Sequence, residues 1–355
     1  MTRDIFGDFP VRERNFASDN NSGMCPEVAA IMEEANHGHA PGYGDDSWTK
    51  RAAERIRDLF EIECEVFFVF NGTAANSLAL ASMCRSYHAI LCHGTSHMET
   101  DECGASEFFG GGTKVIALEG DEGRLSADVL EEAATNRVDV HFPKVRAISL
   151  TQATELGTVY GLDDFRSIKE VCSRNDLKLH LDGARFANAI AHLEIPPKEV
   201  IEASGAATLS FGATKNGSPV GDAVVFFDRE LAREFEYRRK QAGQLASKMR
   251  YLAAPWVTLL ENDLWLRNAR HANAIADCLR RKMEECPQVN VLFPRQANSV
   301  FVDIPENAQK ALREKGWLFY VFFGKTGCRL MCSWDLNEGD VEEFAADLGE
   351  ALGAE

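Results

Sequence analysis

Hydrophobic positions along the chain follow two alternating rhythms. Val66-Phe67-Phe68-Val69-Phe70 is an apolar run short enough for a buried strand, and residues 45–62 before it space Leu59 and Ile62 among charges as a helix does. The same reading predicts strands at 89–92, 114–118, 145–150, 178–181, 208–211 and 220–227. Helical patterns lie between them. Ser126-Ala127-Asp128 supplies an acceptor and a negative charge where a helix start leaves N–H groups unpaired, and 162–172 keeps Phe165, Ile168 and Cys172 on one face. Alternation of this kind predicts an α/β chain with a mostly parallel sheet covered by helices on both faces.

The texture changes near residue 245. Residues 245–283 read as one long helical stretch rich in Ala, Leu and Trp, followed by strands at 300–304, 317–323 and 328–334 and helices at 306–315 and 337–352. This predicts a large domain over 1–250 and a smaller C-terminal α+β domain over 251–355. No repeat at a solenoid period and no low-complexity linker separates them, so a shared interface is expected.

Composition narrows the function. Of 355 residues, 45% are hydrophobic and 26% charged, the balance of a soluble globular protein. The net charge of −17 repels phosphate backbones and anionic membranes, which argues against nucleic-acid and membrane partners. No apolar run reaches the roughly eighteen residues of a membrane span. The opening Met1-Thr2-Arg3-Asp4-Ile5-Phe6-Gly7 lacks a signal-peptide core, so the cytoplasm is expected. Ten scattered cysteines contain no Cys-x-x-Cys pair. Cys328 and Cys332 have no histidines beside them and read as buried small hydrophobes rather than metal ligands.

Strand ends carry the candidate chemistry. Asn71-Gly72-Thr73-Ala74-Ala75-Asn76 sits where the first strand turns into a helix, a place where free N–H groups meet an anion, although Gly and Thr also serve ordinary helix starts. His180-Leu181-Asp182-Gly183-Ala184-Arg185 puts Asp182 and Arg185 at the carboxyl end of another strand, as ligand groups or as an internal ion pair. Thr208 to Gly217 runs from a strand into a loop that encloses Lys215 between small residues, where a lysine is either an imine-forming amine or a solvated loop side chain. Together these supply a phosphate site, a carboxylate for a protonated ring nitrogen and an imine-forming lysine. That is the protein's share of pyridoxal phosphate chemistry.

These three motifs, with Thr214-Lys215-Asn216-Gly217-Ser218-Pro219-Val220-Gly221, resemble the threonine aldolase branch of the fold-type-I pyridoxal phosphate enzymes. The resemblance covers nearly the whole chain, from Ser18-Asp19-Asn20 and Tyr43-Gly44-Asp45-Asp46 through Thr95-Ser96-His97 and His141-Phe142-Pro143 to Gly327-Cys328-Arg329-Leu330. It implies a seven-stranded sheet of the fold-type-I kind. It also implies that Lys215 holds the cofactor, that Asp182 pairs with the pyridinium nitrogen, and that Gly72, Thr73 and Ala74, with Ser210 or Thr214, contact the phosphate. His97 would stack on the ring, His141 would be a second active-site histidine, and either would take the β-hydroxyl proton. The bland readings are a packed core histidine for His141 and a loop histidine for His93. Arg185, near the cofactor, would join Ser18 and Arg329 in binding the substrate carboxylate. The implied reaction is retro-aldol cleavage of L-threonine, allo-threonine or phenylserine to glycine and an aldehyde, with a β-eliminating lyase or aminotransferase as the alternative. A homodimer or homotetramer with shared active sites is implied, with 43–48 as a segment that reaches across. No metal is expected in the site. The chain departs from the common pattern at Thr151-Gln152-Ala153-Thr154-Glu155 and at Thr214-Lys215-Asn216, and its 37–43 stretch is similar to the phenylserine-aldolase branch.

Overall fold

The computed structural model describes residues 11–353; the Met1–Gly7 opening lies outside them. In chain order the larger body holds α1 (Pro26–Ala35), α2 (Ser47–Phe60), β1 (Glu65–Val69), α3 (Gly72–Met83), β2 (His88–His93), α4 (His97–Thr100), α5 (Ala105–Phe109), β3 (Lys114–Leu118), α6 (Ala127–Thr135) and β4 (Lys144–Thr151). It continues with α7 (Leu162–Asn175), β5 (Lys178–Gly183), α8 (Phe186–Leu193), α9 (Pro197–Ser204), β6 (Thr208–Phe211), β7 (Asp222–Phe226) and α10 (Phe235–Gln241). Then come α11 (Arg250–Leu259), α12 (Leu264–Glu284), β8 (Asn290–Val291), β9 (Ser299–Asp303), α13 (Glu306–Glu314), β10 (Tyr320–Phe323), β11 (Gly327–Met331) and α14 (Glu338–Ala351).

The seven strands form one sheet in the order β1-β7-β6-β5-β4-β2-β3. Neighbours are parallel from β3 to β6, whereas β7 runs antiparallel to both β1 and β6. Parallel strands covered on both faces need apolar side chains throughout, and β2, β6 and β7 are buried along their whole length. On one face Phe211 meets Phe60, Phe186 and Trp265 edge-on and Trp256 at a tilt. Against the sheet lies α3, buried from Ala74 to Ala81, where it packs with Val224, Phe226 and Phe235. Small residues let the active edge close up: a Cβ on Gly212 would stand 2.7 Å from the Ala184 carbonyl oxygen.

A second, antiparallel sheet in the order β10-β11-β9-β8 carries the smaller core, with Trp317, Phe319 and Phe344 at its centre. Phe16, from the N-terminal arm, packs in this core, and its N–H and carbonyl bond Leu318 and Met331. The 245–283 stretch is not one helix. Asn262 and Asp263 take left-handed φ values of 51° and 55°, which end α11 and restart the chain as α12. Asn and Asp tolerate that conformation better than other side chains. Along α12, Trp265 and Ala269 join the larger core and Ile275, Leu279 and Met283 the smaller one. The ten cysteines are free thiols. Among the described residues no helix is long and apolar enough to cross a membrane.

Candidate functional site

Parallel strands bring their carboxyl ends to one edge, and an antiparallel strand brings its amino end there. Val69, His93, Thr151 and Phe211 end β1, β2, β4 and β6, Asp182 is the last residue but one of β5, and Asp222 begins β7. The loops from these ends enclose a cavity of about 190 Å³ lined by Asn20, Gly72, Thr73, Asn76, His97, Asp182, Thr214, Lys215 and Asp222. The three motifs read from the sequence therefore meet in one place.

At one end stands the N-terminus of α3. Its first intrahelical bond runs from the Ala75 N–H to the Asn71 carbonyl, and the Asn71 side chain caps the Ala74 N–H at 3.0 Å. The Gly72 and Thr73 N–H groups precede that bond and suit an anion. Ala74, expected among the phosphate contacts, is thus already satisfied. Beside Gly72 lies Asp222, whose Oδ1 accepts from the Ala213 N–H at 2.9 Å and from the Thr214 hydroxyl at 3.3 Å. Burial pushes this carboxyl up, and the Ala213 and Thr214 hydrogen bonds and the Lys215 charge oppose the push without cancelling it. Ser210 does not reach the cavity. Its hydroxyl is 2.9 Å from Nε2 of His180, whose Nδ1 is 2.9 Å from the Ser149 hydroxyl. Burial lowers His180 to about 4, so it stays neutral between the two serines.

Asp182 accepts the Ala184 N–H on Oδ1 at 3.0 Å and the Asn76 amide on Oδ2 at 2.9 Å. The same amide donates to Glu102 Oε1 at 2.8 Å, and His97 Nδ1 approaches that oxygen at 2.9 Å. A hydrogen-bonded chain therefore runs from His97 through Glu102 and Asn76 to Asp182. The bond to Glu102 raises His97, against the lowering effect of burial. Burial in turn pushes the Glu102 carboxyl up, with His97 and Asn76 pulling it down.

Beyond Ala184 the site turns cationic. Arg185 is buried, and its Nε and Nη2 donate to Asp19 Oδ2 and Oδ1 at 2.7 and 2.9 Å, a two-pronged pair joined by the Asn298 amide at 3.0 Å. Its partner is therefore Asp19, not Asp182 as the internal-pair reading had it, and Glu155 Oε2 stands 4.0 Å from Nη1. Arg329, on β11, is buried with its guanidinium over Phe322 and Tyr320, and its Nε has no hydrogen-bond partner among the described residues. Burial lowers its proton affinity, and the nearby Arg185 charge adds to that. A buried guanidinium in this state is a receptor for an anion.

Other expected residues sit elsewhere. His141 is exposed in the loop before β4, at the amino end of that strand and so at the edge away from the cavity. His93 is held between the Thr95 hydroxyl at 2.8 Å and the Gly120 carbonyl at 3.1 Å. Ser18 is half-buried, and its Oγ caps the Asn20 N–H at 3.2 Å beside Asp19. Tyr43 is exposed under the Lys240 ammonium, while Trp48 packs partly buried against the larger core. Sequence reasoning missed Asp19, Asn76, Glu102, Glu155 and Asp222 as site groups. Asn76 closes the first motif, and Glu102 follows His97 by five residues, so both were within reach of a reading by spacing.

The beta-eliminating lyase family model matches residues 15–307. The chain is 53% identical to the low specificity L-threonine aldolase of a Pseudomonas species over 97% of this chain and 99% of that protein. It is 53% identical to the protein of that name from Pseudomonas aeruginosa, over 96% and 99%. Among solved structures, a Leishmania major threonine aldolase superposes with a TM-score of 0.88 at 27% identity, covering 94% of this chain and 98% of that one.

Proposed function

Because the chain belongs to the beta-eliminating lyase family and, within it, to the threonine aldolases, we propose that it cleaves L-β-hydroxy-α-amino acids to glycine and an aldehyde with pyridoxal phosphate. One observation carries the reading: Lys215, Asp182 and the start of α3 line a single cavity. The residues fit the cofactor. Gly72 and Thr73 offer donors to its phosphate, with Thr214 lining the same cavity, Lys215 an amine to its aldehyde and Asp182 a carboxylate to its ring nitrogen. When bound, the group supplies an electron sink for the pair left by a broken bond at Cα.

The chain's own residues do the rest. Arg329, with its unpaired Nε, and Arg185, held in place by Asp19, receive the substrate carboxylate and fix the orientation of the bonds at Cα. Asp182 is held in place by two N–H donors, one on each carboxylate oxygen. With Nδ1 occupied by Glu102, Nε2 of His97 is the atom left to face the cavity. It accepts the β-hydroxyl proton as Cα–Cβ breaks and the aldehyde leaves; a proton returned to Cα completes glycine. With threonine the aldehyde is acetaldehyde, and with phenylserine it is benzaldehyde.

We further propose residues 1–250 as the cofactor-holding domain and 251–355 as the domain that closes on substrate. We also propose a homodimer or homotetramer, supported by exposed Tyr43, Phe70 and Tyr237, and a cytoplasmic location, supported by the free thiols. The test is a titration of the purified protein with pyridoxal phosphate, followed by aldehyde assays with L-threonine, L-allo-threonine and phenylserine, with Lys215→Ala as control. A visible band and aldehyde release, both lost in the control, are expected. A band without aldehyde, together with pyruvate formed from serine, would move the assignment to β-elimination, the activity in the family's name.

A further inference from the structure

Glu102 touches neither substrate nor cofactor in the chemistry described so far, yet its placement gives it more to do than fill Nδ1 of His97. Its side chain is fully buried. Oε1 accepts from two donors, His97 Nδ1 and Asn76 Nδ2, while Oε2 has no partner among the described residues. Burying a carboxylate with one oxygen unsatisfied is costly, and such a group persists where its charge is used. Asn76 spends its amide on Glu102 and Asp182 together, and its own Oδ1 has no partner among the described residues. The chain of bonds is thus arranged around the two carboxylates at the expense of the amide between them.

We propose that Glu102 is a positioning residue that fixes His97 with the proton on Nδ1 and leaves Nε2 as the acceptor toward the cavity. Through Asn76 it also ties the orientation of His97 to that of Asp182. The inference rests on the reading of the cavity as the cofactor and amino-acid site. Four charged groups face His97: Glu102 beyond α4, Asp182 from β5, Glu155 from the loop after β4 and Lys215 from the turn after β6. Among these four only Glu102 hydrogen-bonds it, so Glu102 sets the imidazole's tautomer and the others act on its charge from farther away. A glutamine at 102 keeps the acceptor oxygen and removes the charge. An alanine removes both.

The experiment has two independent readouts on wild type, Glu102→Gln and Glu102→Ala. The first is histidine-selective ¹⁵N NMR of the protein without added cofactor, with the His97 signal identified by its loss in His97→Phe. In wild type His97 should show the Nδ1–H tautomer once deprotonated, and in Glu102→Gln its titration midpoint should fall by about one pH unit or more. The second is kcat/KM against pH for the loaded enzyme, where the acid limb should move down with that midpoint. Glu102→Ala should lower kcat at least tenfold while KM for the amino acid stays within about twofold. An unchanged midpoint in Glu102→Gln, or an Nδ1–H tautomer that persists unchanged in Glu102→Ala, would overturn the proposal. NMR changes as expected in a protein that binds no pyridoxal phosphate would instead sink the reading of the site and leave the Glu102–His97 relation standing. Thermal unfolding of both variants identifies loss of fold.

Discussion

Replacing Asp19 by alanine tests the cationic end of the site most directly. Asp19 is wholly buried, takes both prongs of the Arg185 guanidinium and accepts the Asn298 amide. The substitution strands a buried cation, and breaking such a pair costs about 3–5 kcal/mol. For chains of a few hundred residues each kcal/mol is worth roughly 2–4 °C in Tm, so a drop of at least about 6 °C is expected by scanning calorimetry. The loss should depend on pH. Burial alone pushes the Asp19 carboxyl up, but the Arg185 charge and fork, the Lys215 charge and the Asn298 bond outweigh it and hold it below its ordinary 3.8. A carboxyl lowered by folding stabilises fully above its unfolded pKa, and that contribution fades as pH falls through the folded one. The gap between wild type and Asp19→Ala should therefore be flat from pH 8 to about 5 and close only below the unfolded value. KM for the amino acid should rise in the same variant, because Arg185 loses its fixed direction. A Tm within about 1 °C of wild type at neutral pH, or a gap that widens in acid, would refute the reasoning.

Arg329→Lys should raise KM for the amino acid by roughly 10–100-fold with the cofactor band intact, since an ammonium cannot meet both carboxylate oxygens in a fork; steady-state kinetics decides it. Asp222 lies in the anion end of the cavity and is pushed up by burial. It is neutral below its own pKa and repels an anion above it, so affinity for pyridoxine phosphate, measured by calorimetry, should weaken as pH rises through that value, and Asp222→Asn should abolish the weakening. His141→Ala should leave kcat/KM within about twofold, because the residue is exposed at the far edge of the sheet.

Much of this site could be read from the chain because strand ends advertise themselves. A strand running into a turn with a glycine, an aspartate or a lysine among small residues marks the edge where ligands collect, which is how Gly72, Asp182 and Lys215 were singled out. His141 shows the boundary of that logic. It precedes its strand, and in a parallel sheet a residue before a strand lies at the opposite edge from one after it. Resemblance to a family motif outweighed that geometric test. Asp19 and Arg185 are 166 positions apart and Asn76 and Asp182 are 106 apart, so no local pattern announces either contact. Ser210 misled differently: the correct strand end was identified, but its hydroxyl leans back to His180. The break at Asn262 and Asp263 was legible in the residues themselves, and the apolar rhythm on either side concealed it.

The two arginines belong to different cores. Arg185 opens α8, which packs on α12 in the larger body, and Arg329 lies on the small antiparallel sheet. If the substrate carboxylate is held as proposed, gripping both arginines would fasten the two bodies together, and an amine of the same shape without that carboxylate would leave them unfastened. Selectivity for amino acids over amines would then rest on that fastening as much as on how tightly the ligand is held.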